Sequence, residues 1–155
     1  MTTEINPNEA TQYFGEFLYK VDPSHRVMLP SEWRQEGAPV LFTITPWPLD
    51  RKEYLLVLPP ARWSVFMENL RKQSLSNESV AIAERLISLR SRRVSLDRFG
   101  RLPLPPELVK VIGIERDAQL VGRLDKFEVW HPDIYAAAQR DTEKAAAEII
   151  RSITV

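Results

Sequence analysis

An α+β fold built from two related halves is predicted by three features of the 155-residue sequence. One motif occurs twice, about half a chain apart. Short apolar runs of strand character flank each copy, and a helix-periodic segment follows each set of strands. The first copy reads Val21-Asp22-Pro23-Ser24-His25-Arg26-Val27-Met28-Leu29-Pro30, and the second reads Leu96-Asp97-Arg98-Phe99-Gly100-Arg101-Leu102-Pro103-Leu104-Pro105. Each is an apolar residue, Asp-xxx-Arg, three mainly apolar residues and then Pro. With 7 Asp, 15 Arg and 12 Pro in the chain, chance would produce two such sets with odds of about one in a thousand.

The elements follow in order. Glu32-Trp33-Arg34 after Pro30 matches Glu107-Leu108-Val109 after Pro105, each a short helical turn opened by Pro and an acidic residue. An apolar strand comes next, Val40-Leu41-Phe42-Thr43-Ile44 in the first half and Ala118-Gln119-Leu120-Val121-Gly122 in the second. A further strand follows, Tyr54-Leu55-Leu56-Val57-Leu58 before Pro59, or Phe127-Glu128-Val129-Trp130 before His131-Pro132. Residues 61–73 place Trp63, Phe66, Met67 and Leu70 at helical spacing, and after a break at 74–77 a second helix over 78–89 is capped by Ser76 or Asn77. The Ala-rich segment 133–153 is a long C-terminal helix with Asp133 as its N-terminal signal.

Charge and composition narrow the function classes. The 21 basic side chains balance 21 acidic ones, but unevenly: residues 1–50 carry −4, residues 51–101 carry +6 and residues 102–155 carry −2. The basic middle is densest at Arg85, Arg90, Arg92, Arg93, Arg98 and Arg101. That stretch reads either as a solvated face with ion pairs, Glu84 among the acids, or as a surface for an anionic partner. A molecule that gathers one basic face from several copies binds nucleic acid without a net excess per chain. The chain has no cysteine, which excludes disulfides, thiolate catalysis and Cys-based metal sites. No apolar run approaches the roughly 20 residues of a membrane span, and residues 1–9 lack the pattern of a signal peptide, so a cytoplasmic protein is expected.

Pro23 and Gly100 make each motif a tight connection, in which Asp accepts backbone amides as in an Asx turn. The Arg four residues later either pairs with that Asp and fixes the turn, or projects toward an anion such as phosphate. The two roles are compatible.

With these residues the chain resembles the MraZ family of bacterial transcriptional regulators, whose halves are related to AbrB/SpoVT-type DNA-binding domains. The resemblance rests on Phe14-Gly15-Glu16-Phe17, on both Asp-xxx-Arg motifs with Pro30 and Pro105, on Trp33-Arg34, and on the run from Leu120 to Trp130, which follows a Gly-xx-Asp-x-Phe-Glu-Ile-Trp signature. It implies two pseudo-twofold-related swapped-hairpin halves forming a double-psi-like β-barrel with peripheral helices. The repeats are then 13–60 and 93–132, with a helical connector at 61–92 and a C-terminal helix at 133–155 that packs or makes oligomer contacts. It also implies a ring-shaped homo-oligomer on the nucleoid, binding repeated elements of double-stranded promoter DNA, notably upstream of cell division and wall synthesis genes. The Arg of the motif is a proposed DNA contact in the family. This points to Arg26, with Lys20, His25 and Arg34 near it, and to Arg101 as a second or structural position. Asp22, Asp97, Gly100, Pro30 and Pro105 hold the motifs. One departure stands out: Pro23-Ser24-His25 replaces the family's common Lys-Gly before Arg26, which removes a phosphate contact.

Two other function classes are weighed. A non-DNA-binding oligomeric adaptor that keeps the scaffold is motivated by the altered first motif and the neutral charge. An enzyme has little support: the sequence shows no phosphate loop, metal-binding His pair or nucleophile elbow, and implies no cofactor, metal or small-molecule substrate. His131 reads as a strand cap, His25 as a turn residue, and nothing supplies a pocket around Asp125 and Glu128. Trp63 and Trp130 read as core, and Trp47, in Pro46-Trp47-Pro48, as an exposed loop contact.

Overall fold

The computed structural model describes residues 11–35, 37 and 40–154; the reading of residues 1–9 lies outside them. Eight strands and four α-helices are found among these residues: β1 (Glu16–Lys20), β2 (Arg26–Met28), a 3-10 turn (Ser31–Trp33), β3 (Leu41–Trp47), β4 (Tyr54–Leu58), α1 (Pro60–Arg71), α2 (Asn77–Arg90), β5 (Arg92–Ser95), β6 (Arg101–Pro103), α3 (Pro106–Ile112), β7 (Asp117–Gly122), β8 (Phe127–Trp130) and α4 (Pro132–Arg151). The fold is α+β, as the alternation of apolar runs and helical segments predicts.

Six strands form one antiparallel sheet in the order β1-β7-β8-β4-β3-β5, and β2 and β6 form a separate two-stranded ribbon. Exchanging each strand for its counterpart in the other half reverses this order without changing it. The first strand of each half therefore pairs outside its own half, β1 with β7 and β5 with β3. A pseudo-twofold axis runs between β4 and β8, which pair through Leu56 and Glu128, and between β2 and β6, where Val27 lies opposite Leu102.

The expected barrel is not closed by backbone pairing among the described residues. The ribbon strands hold three residues each and are joined to the sheet only by an isolated Val21–Val27 bridge. Proline explains the short ladders: Pro103 within β6, and Pro30 and Pro105 just beyond each ribbon strand, have no N–H to donate.

The core lies between sheet and ribbon. Val27, Leu29, Ile44, Leu55, Val57, Leu102, Leu120, Phe127 and Val129 are fully buried there with Trp33 and Tyr13. Trp33 makes edge-on contacts with Tyr13 at 5.5 Å and Phe17 at 5.4 Å, so it is a core residue unavailable to a base.

The other tryptophans divide. Trp130 is buried as expected and stacks on Tyr54 at 4.5 Å. Trp63 is only half-buried, because α1 packs against β3 and β4 without burying any of its residues fully. Trp47 closes β3 rather than occupying a loop and is half-buried edge-on to Phe66 at 5.8 Å. No helix is long and apolar enough to cross a membrane among the described residues.

Candidate nucleic-acid interface

The two motifs build turns with the same hydrogen-bond pattern. The Asp22 carboxylate accepts the amides of Ser24 and Arg26, both at 2.9 Å, and the Arg26 Nε at 3.0 Å. Asp97 accepts the amides of Phe99 at 2.9 Å and Arg101 at 3.0 Å, and the Arg101 Nε at 2.7 Å. His25 and Gly100 occupy the same left-handed position, with φ of 58° and 81°. The histidine thus keeps the backbone of the altered first motif, at the steric cost that glycine avoids.

Antiparallel pairing of β2 with β6 then sets the turns side by side. Leu29 donates to the Gly100 carbonyl at 3.1 Å, and Leu104 donates to the His25 carbonyl at 2.8 Å. Each arginine also reaches the other repeat's aspartate: Arg26 to Asp97 at 3.6 Å, and Arg101 to Asp22 at 3.7 Å. Four charges thereby form one network across the pseudo-twofold axis.

The amide of Arg26 is the main reason that Asp22 titrates below the ordinary carboxylate range, against an opposing effect of burial. For Asp97 burial is the largest single influence and would raise the value. The amides of Arg101 and Phe99 and the Arg101 guanidinium together outweigh it, so Asp97 is lowered too.

Strand alternation sends Val27 and Leu102 into the core and turns Arg26, Met28, Arg101 and Pro103 outward. The Arg26 and Arg101 side chains retain 34% and 26% exposure, so neither is much more open than the other.

Of the residues singled out from the sequence, Arg26, Arg101, Asp22 and Asp97 come together in the network. Gly100 supplies the second turn, while Pro30 and Pro105 lead from the ribbon into the short helical turns. Lys20 and His25 are exposed outside the network.

Arg34 does not sit with the first motif. A Cβ at Gly100 would overlap its guanidinium, which places it on the second turn. The reason is the ribbon: chain leaving β2 emerges beside Gly100 of the other half. An open groove of about 630 Å³ follows this line, with Trp33, Arg34, Leu96, Asp97 and Arg98 in its walls.

Arg98 and Phe99 were not picked out as site residues. The signal was present, since Arg98 is the one residue inside either Asp-xxx-Arg turn that is always cationic.

The Gly122 to Trp130 signature, by contrast, is structural. A side chain at Gly122 would collide with the Tyr13 carbonyl. Asp125 pairs with Lys126 at 2.8 Å and Arg62 at 3.0 Å. Buried Glu128 accepts from the Trp130 indole at 2.8 Å and Arg123 at 3.0 Å. His131 caps α4, its Nδ1 accepting the Asp133 amide at 3.0 Å.

Fold and site define an internally duplicated α+β protein whose two Asp–Arg turns meet on a short ribbon at the pseudo-dyad. The family described as "MraZ protein, putative antitoxin-like" has a model that matches residues 89–150. The transcriptional regulator MraZ of Thermomicrobium roseum is 31% identical over 138 residues, spanning 88% of this chain and 91% of that protein. Those of Clostridium acetobutylicum, 30% identical over 76% of this chain and 80% of the relative, and Desulfitobacterium hafniense, 29% identical over 91% and 96%, are also similar. The chain belongs to the MraZ family.

Proposed function

We propose that this chain is a transcriptional regulator, not an enzyme, that binds double-stranded DNA through the outer face of the β2–β6 ribbon. One observation carries the reading: two outward arginines, Arg26 and Arg101, stand on a two-stranded ribbon related by a pseudo-twofold axis. A ribbon of this width fits the major groove of B-DNA, and a protein dyad suits a DNA site with approximate dyad symmetry. The names of the relatives support the regulatory role.

Within this reading, residues 13–60 and 93–132 act as the two DNA-facing repeats, flanked by the connector at 61–92 and the C-terminal helix at 133–155. Arg26 and Arg101 make the central contacts, with Lys20, His25 and Arg34 around them. A ring-shaped homo-oligomer on the nucleoid gathers one such face from each copy and engages repeated promoter elements, those of the cell division and wall synthesis cluster. The ribbon, turns and sheet together act as the swapped-hairpin, double-psi-like scaffold of this function.

Gel-shift titration of Arg26→Ala against a promoter fragment with tandem repeats, across a salt series, tests the assignment. Loss of affinity with a salt slope smaller by about 1 supports it, and affinity equal to wild type at every salt concentration removes Arg26 from the interface.

A second reading, an oligomeric adaptor that does not bind DNA, is favoured by the ion pairing of both arginines to Asp22 and Asp97. Absence of salt-sensitive binding over many promoters would select it.

A further inference from the structure

The two turns share a backbone but not a surface. Between Asp and Arg the first presents Pro23, Ser24 and His25, and the second presents Arg98, Phe99 and Gly100. Phe99 is 54% exposed, although burying its ring elsewhere would be favourable. The carbon at the centre of the Arg98 guanidinium lies 4.7 Å from the centre of that ring, and that of Arg101 lies 5.0 Å from it. Arg34 adds a third cation against Gly100. The Phe99 amide is tied to the Asp97 carboxylate at 2.9 Å, so the ring is carried on a fixed turn and not on a loose loop.

Two arginines, Arg98 and Arg101, therefore flank one exposed aromatic on the second turn, and Arg34 lies against the neighbouring Gly100. The first turn sets Arg26 against Asp22 and carries the smaller, polar imidazole of His25 in place of a phenyl ring, with no additional permanent cation inside the motif. Cations attract the phosphate backbone. In the major groove, apolar side chains, Phe among them, pack against base edges such as the thymine methyl.

We propose that the second turn is the asymmetric reading element of the ribbon, with Phe99 seated against base edges in the major groove of double-stranded DNA and Arg98 and Arg34 on the flanking phosphates. A pseudo-symmetric protein thereby reads a site with a direction. This rests on the DNA-binding reading above and goes beyond it by assigning unequal roles to the two turns.

The test is fluorescence anisotropy with two labelled duplexes of equal length, the promoter fragment with tandem repeats and a random sequence, across a salt series. Phe99→Ala is expected to weaken promoter binding about tenfold with an unchanged salt slope. Phe99→Trp should keep most of the affinity, and Ser24→Ala on the first turn should bind as wild type does. Arg98→Ala should reduce the salt slope by about 1. Circular dichroism melts that match wild type exclude loss through unfolding. Promoter affinity of Phe99→Ala equal to wild type overturns the proposal while leaving DNA binding by the ribbon intact. A wild-type chain with no salt-sensitive binding to either duplex overturns both.

Discussion

Asp22 and Asp97 each do two things, and both follow from the position of one carboxylate. Each closes its own turn by accepting two amides, and each holds its own arginine while touching the other repeat's arginine. Because both folded values are lowered, their stabilising effect is complete above the unfolded value of about 3.9. It is lost as pH falls through the lower folded values. Acid titration followed by fluorescence should therefore show an unfolding transition below about pH 4 that Asp22→Asn, Asp97→Asn protein lacks, its stability being reduced already at neutral pH. An unchanged acid transition in that variant contradicts the role given to the pair. Gly122 is a second point of close approach. Gly122→Ala forces a methyl into the Tyr13 carbonyl and should cost about 1–3 kcal/mol in urea denaturation. The turn geometry was legible in the sequence because Asp and Arg four residues apart interact locally. The place of Arg34 was not, because only pairing between distant strands brings it to Gly100.

At the scale of elements, most strands and helices were marked by local signals. Pro59-Pro60 and Pro132 open α1 and α4, and Ser76 caps α2 by accepting the Ser79 amide at 3.1 Å. Ser76→Ala should cost about 1 kcal/mol, read as a lower urea midpoint; no change would mean that packing alone holds α2. The short helical turn after Pro30 is a 3-10 turn whose Trp33 reaches the centre of the core. Trp33→Ala should therefore cost about 3–5 kcal/mol, far more than an exposed tryptophan would. Strand registers and the exchange of β1 and β5 between halves were not legible from the residues themselves. Apolar alternation fixes which face a strand buries, but not which distant strand it joins.

For the whole molecule, duplication organises both the core and the charge. The pseudo-axis passes through the Val27–Leu102 pair, placing the two turns on one face. The neutral balance of 21 basic and 21 acidic residues says nothing of that face, where Arg34, Arg98 and Arg101 gather. Tyr13 sits at the heart of the same fold, and burial pushes its phenol up to about 12. The folded chain thus retains a proton that the unfolded chain gives up near pH 10, and stability should fall as pH rises from there toward the folded value. Tyr13→Phe should flatten that alkaline loss in thermal melts. The most direct test of ribbon-mediated DNA recognition is a nuclease footprint over promoter fragments of the cell division and wall synthesis cluster that carry tandem repeats. The account predicts protection of repeated elements by the wild-type chain and its loss when Arg26 and Arg101 are both changed to Ala. No protection by wild type, or the same protection by the double variant, would contradict it.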